Sequence, residues 1–226
     1  MATISRFGHA LLVAVAASSL AWADDWRPLF DGTSLDGWTQ KGGAAKYRAE
    51  DGQIVGTSVP NTSNSFLCTT KDYADFILEL EFKVDPDLNS GVQIRSQCFD
   101  EPKVAERNGK KREIPAGRVH GYQVEIDPKE RAWSGGIYDE GRRGWLDDLA
   151  DNESARKAFK PGDWNHFRIE CRGPSIKTFI NGVKAADLRD DMTPKGFIAL
   201  QVHGVGGATD PREVRWRKIR IKELAE

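Results

Sequence analysis

Long hydrophobic runs are scarce in this chain. The only one, Ala10 to Leu20 (ALLVAVAASSL), is shorter than the roughly 20 residues a membrane-spanning helix needs. It follows Arg6 and precedes Ala21-Trp22-Ala23, a small-x-small site, so residues 1–23 read as a signal peptide cleaved near Ala23. The expected product is residues 24–226, a single exported domain, periplasmic or extracellular, with no membrane span. Charge of one sign is lacking too. The formal net charge is -1, with no basic stripe to neutralise phosphates, which excludes nucleic acid as a partner. Lys110-Lys111-Arg112 is a short cluster in a loop with Glu106 and Glu113 and reads as solvated. Cysteine is rare: Cys68, Cys98 and Cys171, with no Cys-x-x-Cys spacing. That excludes a zinc ribbon and leaves at least one thiol free. Cys171 alternates with Phe167 and Ile169 as a buried apolar residue; Cys68 with Cys98 is the pair to test for a disulfide. Helical periodicity is nearly absent, apart from two turns at Asn152 to Phe159 with Asn152 as cap.

What is present is a succession of short strands separated by turn residues. Lys46 to Glu50 and Gln53 to Thr57 flank Asp51-Gly52; Ser175 to Ile180 and Val183 to Ala186 flank Asn181-Gly182. Both dipeptides favour two-residue hairpin turns. Phe76 to Val84 alternates apolar and charged residues with period two. Ser90 to Ser96, Tyr122 to Asp127, Trp164 to Arg172, Phe197 to His203 and Val214 to Lys222 read as further strands. In the last of these the apolar phase slips near Arg217-Lys218, which predicts a β-bulge. Many strands and few helices predict an all-β sandwich or jelly roll. Phe99 to Arg118 reads as a long exposed loop.

Three strands carry unusual polar faces. Gln93 and Arg95 alternate with Val92 and Ile94; Gln123, Glu125 and Asp127 with Tyr122, Val124 and Ile126; Gln201 and His203 with Leu200 and Val202. Solvated strand faces favour Lys, Glu, Thr and Ser, whereas these carry directional hydrogen-bonding groups. If the three strands are neighbours, their polar side chains converge on one concave surface. Glu125 and Asp127, two apart on one strand, lie roughly 6–7 Å apart on one face, a separation that glycosidases use for paired acids. His203 is a candidate base, or a metal ligand with Glu125; His120 and His166 are weaker candidates. The segment Trp133 to Trp145 (WSGGIYDEGRRGW) offers Trp133 and Trp145 as rings that stack on sugars or plug a sandwich edge.

Read in order, several segments resemble one family: LFDGTSLDGW at Leu29 to Trp38, EDGQIVG at Glu50 to Gly56, NSGVQIR at Asn89 to Arg95, GYQVEI at Gly121 to Ile126, GGIYD at Gly135 to Asp139, Trp164-Asn165, Asn181-Gly182, GFIALQVHG at Gly196 to Gly204, and VRWRKIRI at Val214 to Ile221. From Trp26 to Leu224 the chain resembles the 3-keto-disaccharide hydrolase domain family. The resemblance implies a concanavalin A-like jelly-roll sandwich of two antiparallel sheets. It also implies an exported enzyme that cleaves glycosides already oxidised at C3, with an oligosaccharide or glycoside as partner. A 3-keto group acidifies the C2 hydrogen; a base removes it, an enolate forms, and the C1 substituent leaves, after which water can add. On this expectation Glu125 or His203 is the base, Arg95 or a bound divalent metal steadies the enolate, and Gln93, Gln123 and Gln201 hold sugar hydroxyls, with Tyr138 and Asp139 at the border of the site.

Two other readings compete. A non-catalytic, lectin-like carbohydrate-binding domain needs aromatics and amides but no Glu–His–Arg cluster. Ordinary glucan hydrolysis needs a run of acids on one strand, and Pro128 interrupts the one starting at Glu125.

Overall fold

In a computed structural model the described residues are 25–225, apart from Asn108; the segment expected to be a signal peptide, residues 1–23, lies outside them. In chain order the strands are β1 (Arg27–Pro28), β2 (Trp38–Gly42), β3 (Lys46–Glu50), β4 (Gln53–Thr57), β5 (Ser65–Tyr73), β6 (Phe76–Val84), β7 (Ser90–Gln97), β8 (Lys103–Arg107), β9 (Lys110–Ile114), β10 (His120–Ile126), β11 (Ile137–Glu140) and β12 (Gly144–Asp147). The helix α1 (Glu153–Ala158) follows, capped by the Asn152 side chain on the Ala155 N–H as expected. Then come β13 (Asn165–Arg172), β14 (Ser175–Ile180), β15 (Val183–Arg189), β16 (Gly196–Val202) and β17 (Glu213–Glu223).

The expected all-β jelly-roll sandwich is what forms. The back sheet runs β15-β14-β13-β6-β17-β4-β3, with β1 on β17. The front sheet runs β12-β11-β10-β7-β16-β5-β2. Both hairpin dipeptides take positive φ at each residue, Asp51 (51°) with Gly52 (74°) and Asn181 (48°) with Gly182 (84°), the geometry that matches the right-handed strand twist. Period-two alternation puts Leu78, Leu80 and Phe82 of the back sheet against Val92, Val124 and Leu200 of the front sheet in one apolar core. The predicted bulge is present: the β6–β17 register shifts between Arg217 and Arg220, with Lys218 at φ 51°.

Two expectations change. Residues 99–118 are not a plain loop but carry the β8–β9 hairpin. The ends of this insert, Cys98 and Val119, pack on Phe66, Cys68, Phe197 and Ala199 on the outer face of the front sheet. Cys68 and Cys98 are therefore neighbours, but both are free thiols. With that cover, β7, β10 and β16 are buried on both faces.

The second change concerns Arg95. A bulge in β7 gives Arg95 a φ of 45° and shifts the register against both β10 and β16. The side chain leaves the face that Gln93 occupies. Its guanidinium is 1% exposed. Nε donates to the Ala74 carbonyl (2.7 Å), Nη1 to the Gly173 carbonyl (2.7 Å) and Nη2 to Asp75 (2.8 Å). Arg95 thus ties the front sheet to the turns after β5 and β13. Arg95→Ala is expected to lower the unfolding free energy by on the order of 3 kcal/mol in urea titrations, because it strips a buried, fully bonded charge from its partners. A loss below about 0.5 kcal/mol, the level of a surface substitution, would contradict that structural role.

Candidate functional site

The outer face of β10, β11 and β12, together with the adjoining ends of β7 and β16, forms a hollow of about 440 Å³, within the range of small-ligand sites. Glu125 lies at its floor, 5% exposed. Asn89 Nδ2 donates to Oε1 (2.6 Å) and Gln123 Nε2 to Oε2 (2.8 Å). The Gln123 amide is itself aimed: Gln93 Nε2 donates to its Oε1 (2.7 Å), and Ser96 Oγ donates to Gln93 Oε1 (2.6 Å). Gly91 makes room for this run. A Cβ there would lie 2.6 Å from Gln123 Cγ and Cδ, so a larger residue would displace the amide that holds Glu125. Burial pushes the Glu125 carboxyl up to about 7; the Asn89 and Gln123 donors and nearby Arg131 oppose the rise, and Asp127 adds to it.

Cations line the walls. Arg131 donates from Nε to the buried Asp127 carboxylate and lies over the rings of Trp133 (4.5 Å) and Trp145 (5.4 Å). Arg118 pairs with Glu140, whose carboxyl burial pushes up while Arg118 and His203 oppose it. Lys129 lines the same hollow and makes no ion pair among the described residues. Tyr138 meets Trp145 edge to face at 5.3 Å and both face the cavity. His203 and Asn64 close the far side. The His203 Nδ1 sits 2.8 Å from the Gly204 carbonyl. A carbonyl only accepts, so Nδ1 carries the proton and Nε2 is left free.

Of the residues expected in the site, Glu125, His203, Gln123, Tyr138 and Trp145 share this hollow; the others do not line it. Arg95 turns away at its bulge. Asp139 pairs across from Tyr122, on the core face, where Arg142 and Arg143 bind it. Asp127 lies past the end of β10 and holds Arg131, so it forms no acid pair with Glu125 within the cavity. Gln93 is fully buried, with both amide atoms bonded inside the chain, and cannot reach a sugar. Gln201 is fully buried beneath the surface, with neither amide atom partnered among the described residues. Trp133 backs Arg131 and Trp145. His120 is buried against the Arg118 carbonyl, and His166 lies on the back sheet. The lining residues not anticipated are Asn64, Asn89, Arg118, Lys129, Arg131 and Glu140. Two carried a signal: Asn89 opens the NSGVQIR segment, and Glu140 shares strand parity with Tyr138.

The donor set does not fit the expected metal. Among the described residues no three His, Cys, Asp or Glu side chains converge, and Glu125 is already held by two amides beside a wall of cations. A larger hollow of about 620 Å³ lies on the back sheet, over the β17 bulge. Its acids, Glu79 and Glu81, are each bound by two cations. Burial pushes them up, yet those cations hold both below the ordinary value. Of these two hollows, the front one combines a cavity with a carboxyl that burial pushes up to about 7.

A sequence profile of the 3-keto-alpha-glucoside-1,2-lyase-like domain family matches residues 25–222. No curated protein sequence matches the chain. Among solved structures, it is similar to a candidate glycosyl hydrolase from Parabacteroides distasonis (19% identity, 88% of this chain and 94% of that one, TM-score 0.56). It is also similar to the carbohydrate-binding module CBM66 from Bacillus subtilis (13%, 87% and 100%, 0.57). A third is a Bacillus subtilis protein of unknown function with a galectin-like fold (13%, 88% and 94%, 0.58). At these identities the likeness to the three structures is one of fold.

The Glu125 environment has a measurable consequence for stability. Its folded-state value of about 7 lies above the ordinary 4.5. Stability linked to this group is therefore complete below about pH 4.5 and falls as pH rises through 7, by on the order of 3 kcal/mol. Chemical unfolding across that range should show the decline in the native chain and lose this component in Glu125→Gln.

Proposed function

Because the chain belongs to the 3-keto-alpha-glucoside-1,2-lyase-like family, we propose that it is an exported enzyme that cleaves 3-keto-glycosides by removing the C2 proton. The observation that carries this reading is Glu125, a buried carboxyl with a proton affinity near neutrality at the floor of a cation-walled hollow. Such a group takes a proton from carbon at neutral pH and returns it without deep trapping. In the proposed step the Glu125 carboxylate accepts the C2 hydrogen as a proton. The C2–H electron pair moves into the C2–C3 bond and the C3 carbonyl becomes an enolate. The enolate then re-forms the carbonyl, the C1–O bond breaks with its electron pair on the leaving oxygen, and an enone remains. Water added across C1 and C2 gives the net product of hydrolysis.

The enolate needs positive charge that is already in place. Arg131 and Lys129 fill the role first expected of Arg95. Arg131 is braced by Asp127 below and two tryptophan faces beside it, so little reorganisation is needed as charge develops. Tyr138 and Trp145 offer ring edges and faces to the sugar, and Asn64 and Asn89 stand where hydroxyls would be held. His203 borders the departing oxygen, and the proton that Glu125 took from C2 passes to that oxygen as the C1–O bond breaks. Gln123 and Gln93 act through Glu125 as positioning residues.

The likeness in fold to CBM66 favours a second reading, a sugar-binding domain without turnover. One assay separates the two. With a 3-keto-glucoside and its unoxidised parent, the native chain should release aglycone from the oxidised sugar only. Glu125→Gln should lower kcat by about 10²–10⁴-fold while still binding. Because the base works ionised, kcat/KM should rise with pH through about 7. Binding without release from either sugar would leave the lectin-like reading standing.

A further inference from the structure

A second hollow, of about 280 Å³, abuts the one that holds Glu125, and the two share Asn64 and Arg118. It extends over the β2–β5 side of the front sheet. Its character is different. Arg118, at the junction, is its one charged lining residue; Phe66, Pro115, Ala116 and Val119 give it an apolar interior. The chain segments beneath are in close contact. A Cβ on Gly43 would stand 2.0 Å from the Ser63 carbonyl oxygen, so glycine there lets β2 lie flat against residues 63–65 and keeps the hollow open. At the junction, Asn64 spends Oδ1 on the Gly204 N–H (3.0 Å), which leaves Nδ2 as a donor, and Arg118 is held in place by Glu140.

A ligand whose ring lies over Glu125 and whose C1 substituent crosses Asn64 and Arg118 enters this second hollow. From that continuity we infer that the second hollow binds the leaving group, and that it selects an uncharged ring with an apolar face, aryl or pyranose, over an anionic one. This inference rests on the proposed function for the word leaving; the contact itself does not depend on turnover. A carboxylated ring would have to be desolvated among Phe66, Pro115 and Val119, in a lining whose one cation is Arg118 at the junction.

The test uses the full chain carrying Glu125→Gln, with binding measured by calorimetry for methyl, phenyl and 4-carboxyphenyl 3-keto-glucosides and a 3-keto-disaccharide. The phenyl compound and the disaccharide should bind about tenfold tighter than the methyl compound, from burial of one ring, and the carboxyphenyl compound should lose that advantage. If only one of the two neutral rings gains, the class narrows to that ring. Adding Ala116→Trp, or Ser63→Trp from the opposite wall, fills the hollow at exposed positions and should collapse the ratio towards one. Equal affinity for all four compounds, a preference untouched by both tryptophans, or no binding at all would overturn the inference. Turnover of the same compounds by the native chain is read separately. If the binding ratio is present but nothing is cleaved, the enzymatic reading fails and the subsite stands.

Discussion

The outer faces of β7, β10 and β16 are largely buried, and the polar side chains placed there, Gln201 apart, satisfy one another. Ser96, Gln93, Gln123 and Glu125 do so in a single direction, each donating to the next, and Asn89 meets the last from the other side. The run ends on the one member that can change its charge. Donors favour the carboxylate and burial favours the acid. Burial wins by enough to bring the group to about 7. An amide pointed the other way at Gln123 would deprive the carboxylate of a donor, so the fixed polarity of the run is as important as its presence.

Charge around that carboxyl comes from the edges of the site. Arg118 arrives from the insert before β10, and Lys129 and Arg131 from the segment after it. Each arginine is held by its own buried acid, Glu140 or Asp127. A long, flexible side chain becomes a fixed cation only when something else restrains it. Arg95 shows the alternative use of the same residue type. With all three of its nitrogens committed to the turns after β5 and β13, it fastens the sheets together and has nothing to offer a ligand.

Much of this was legible in the chain. Asp51-Gly52 and Asn181-Gly182 marked their hairpins because positive φ at both turn positions restricts which residues fit. Phe76 to Val84 read as one strand, and the parity slip in the last strand located its bulge. Tyr138 was identified from the family resemblance, and Glu125 and Gln123 from strand parity. The same rule misplaced Arg95, because one extra residue in β7 reverses parity and nothing in Ser90 to Ser96 announces it. It misplaced Asp127 as well, since the strand ends at Ile126. Asn89, Arg118, Lys129 and Arg131 lie on connections or at strand ends, where no period assigns a direction.

By itself the sequence determined the all-β class, the turns and the two-faced strands, since these depend on backbone preferences and side-chain alternation acting over a few residues. Only the tertiary structure decided which polar groups meet, which are closed off, and which arginine faces the cavity. Those outcomes depend on strand order, on a bulge and on two connections folding over one sheet. Each brings together residues tens of positions apart, and no local pattern encodes their distance.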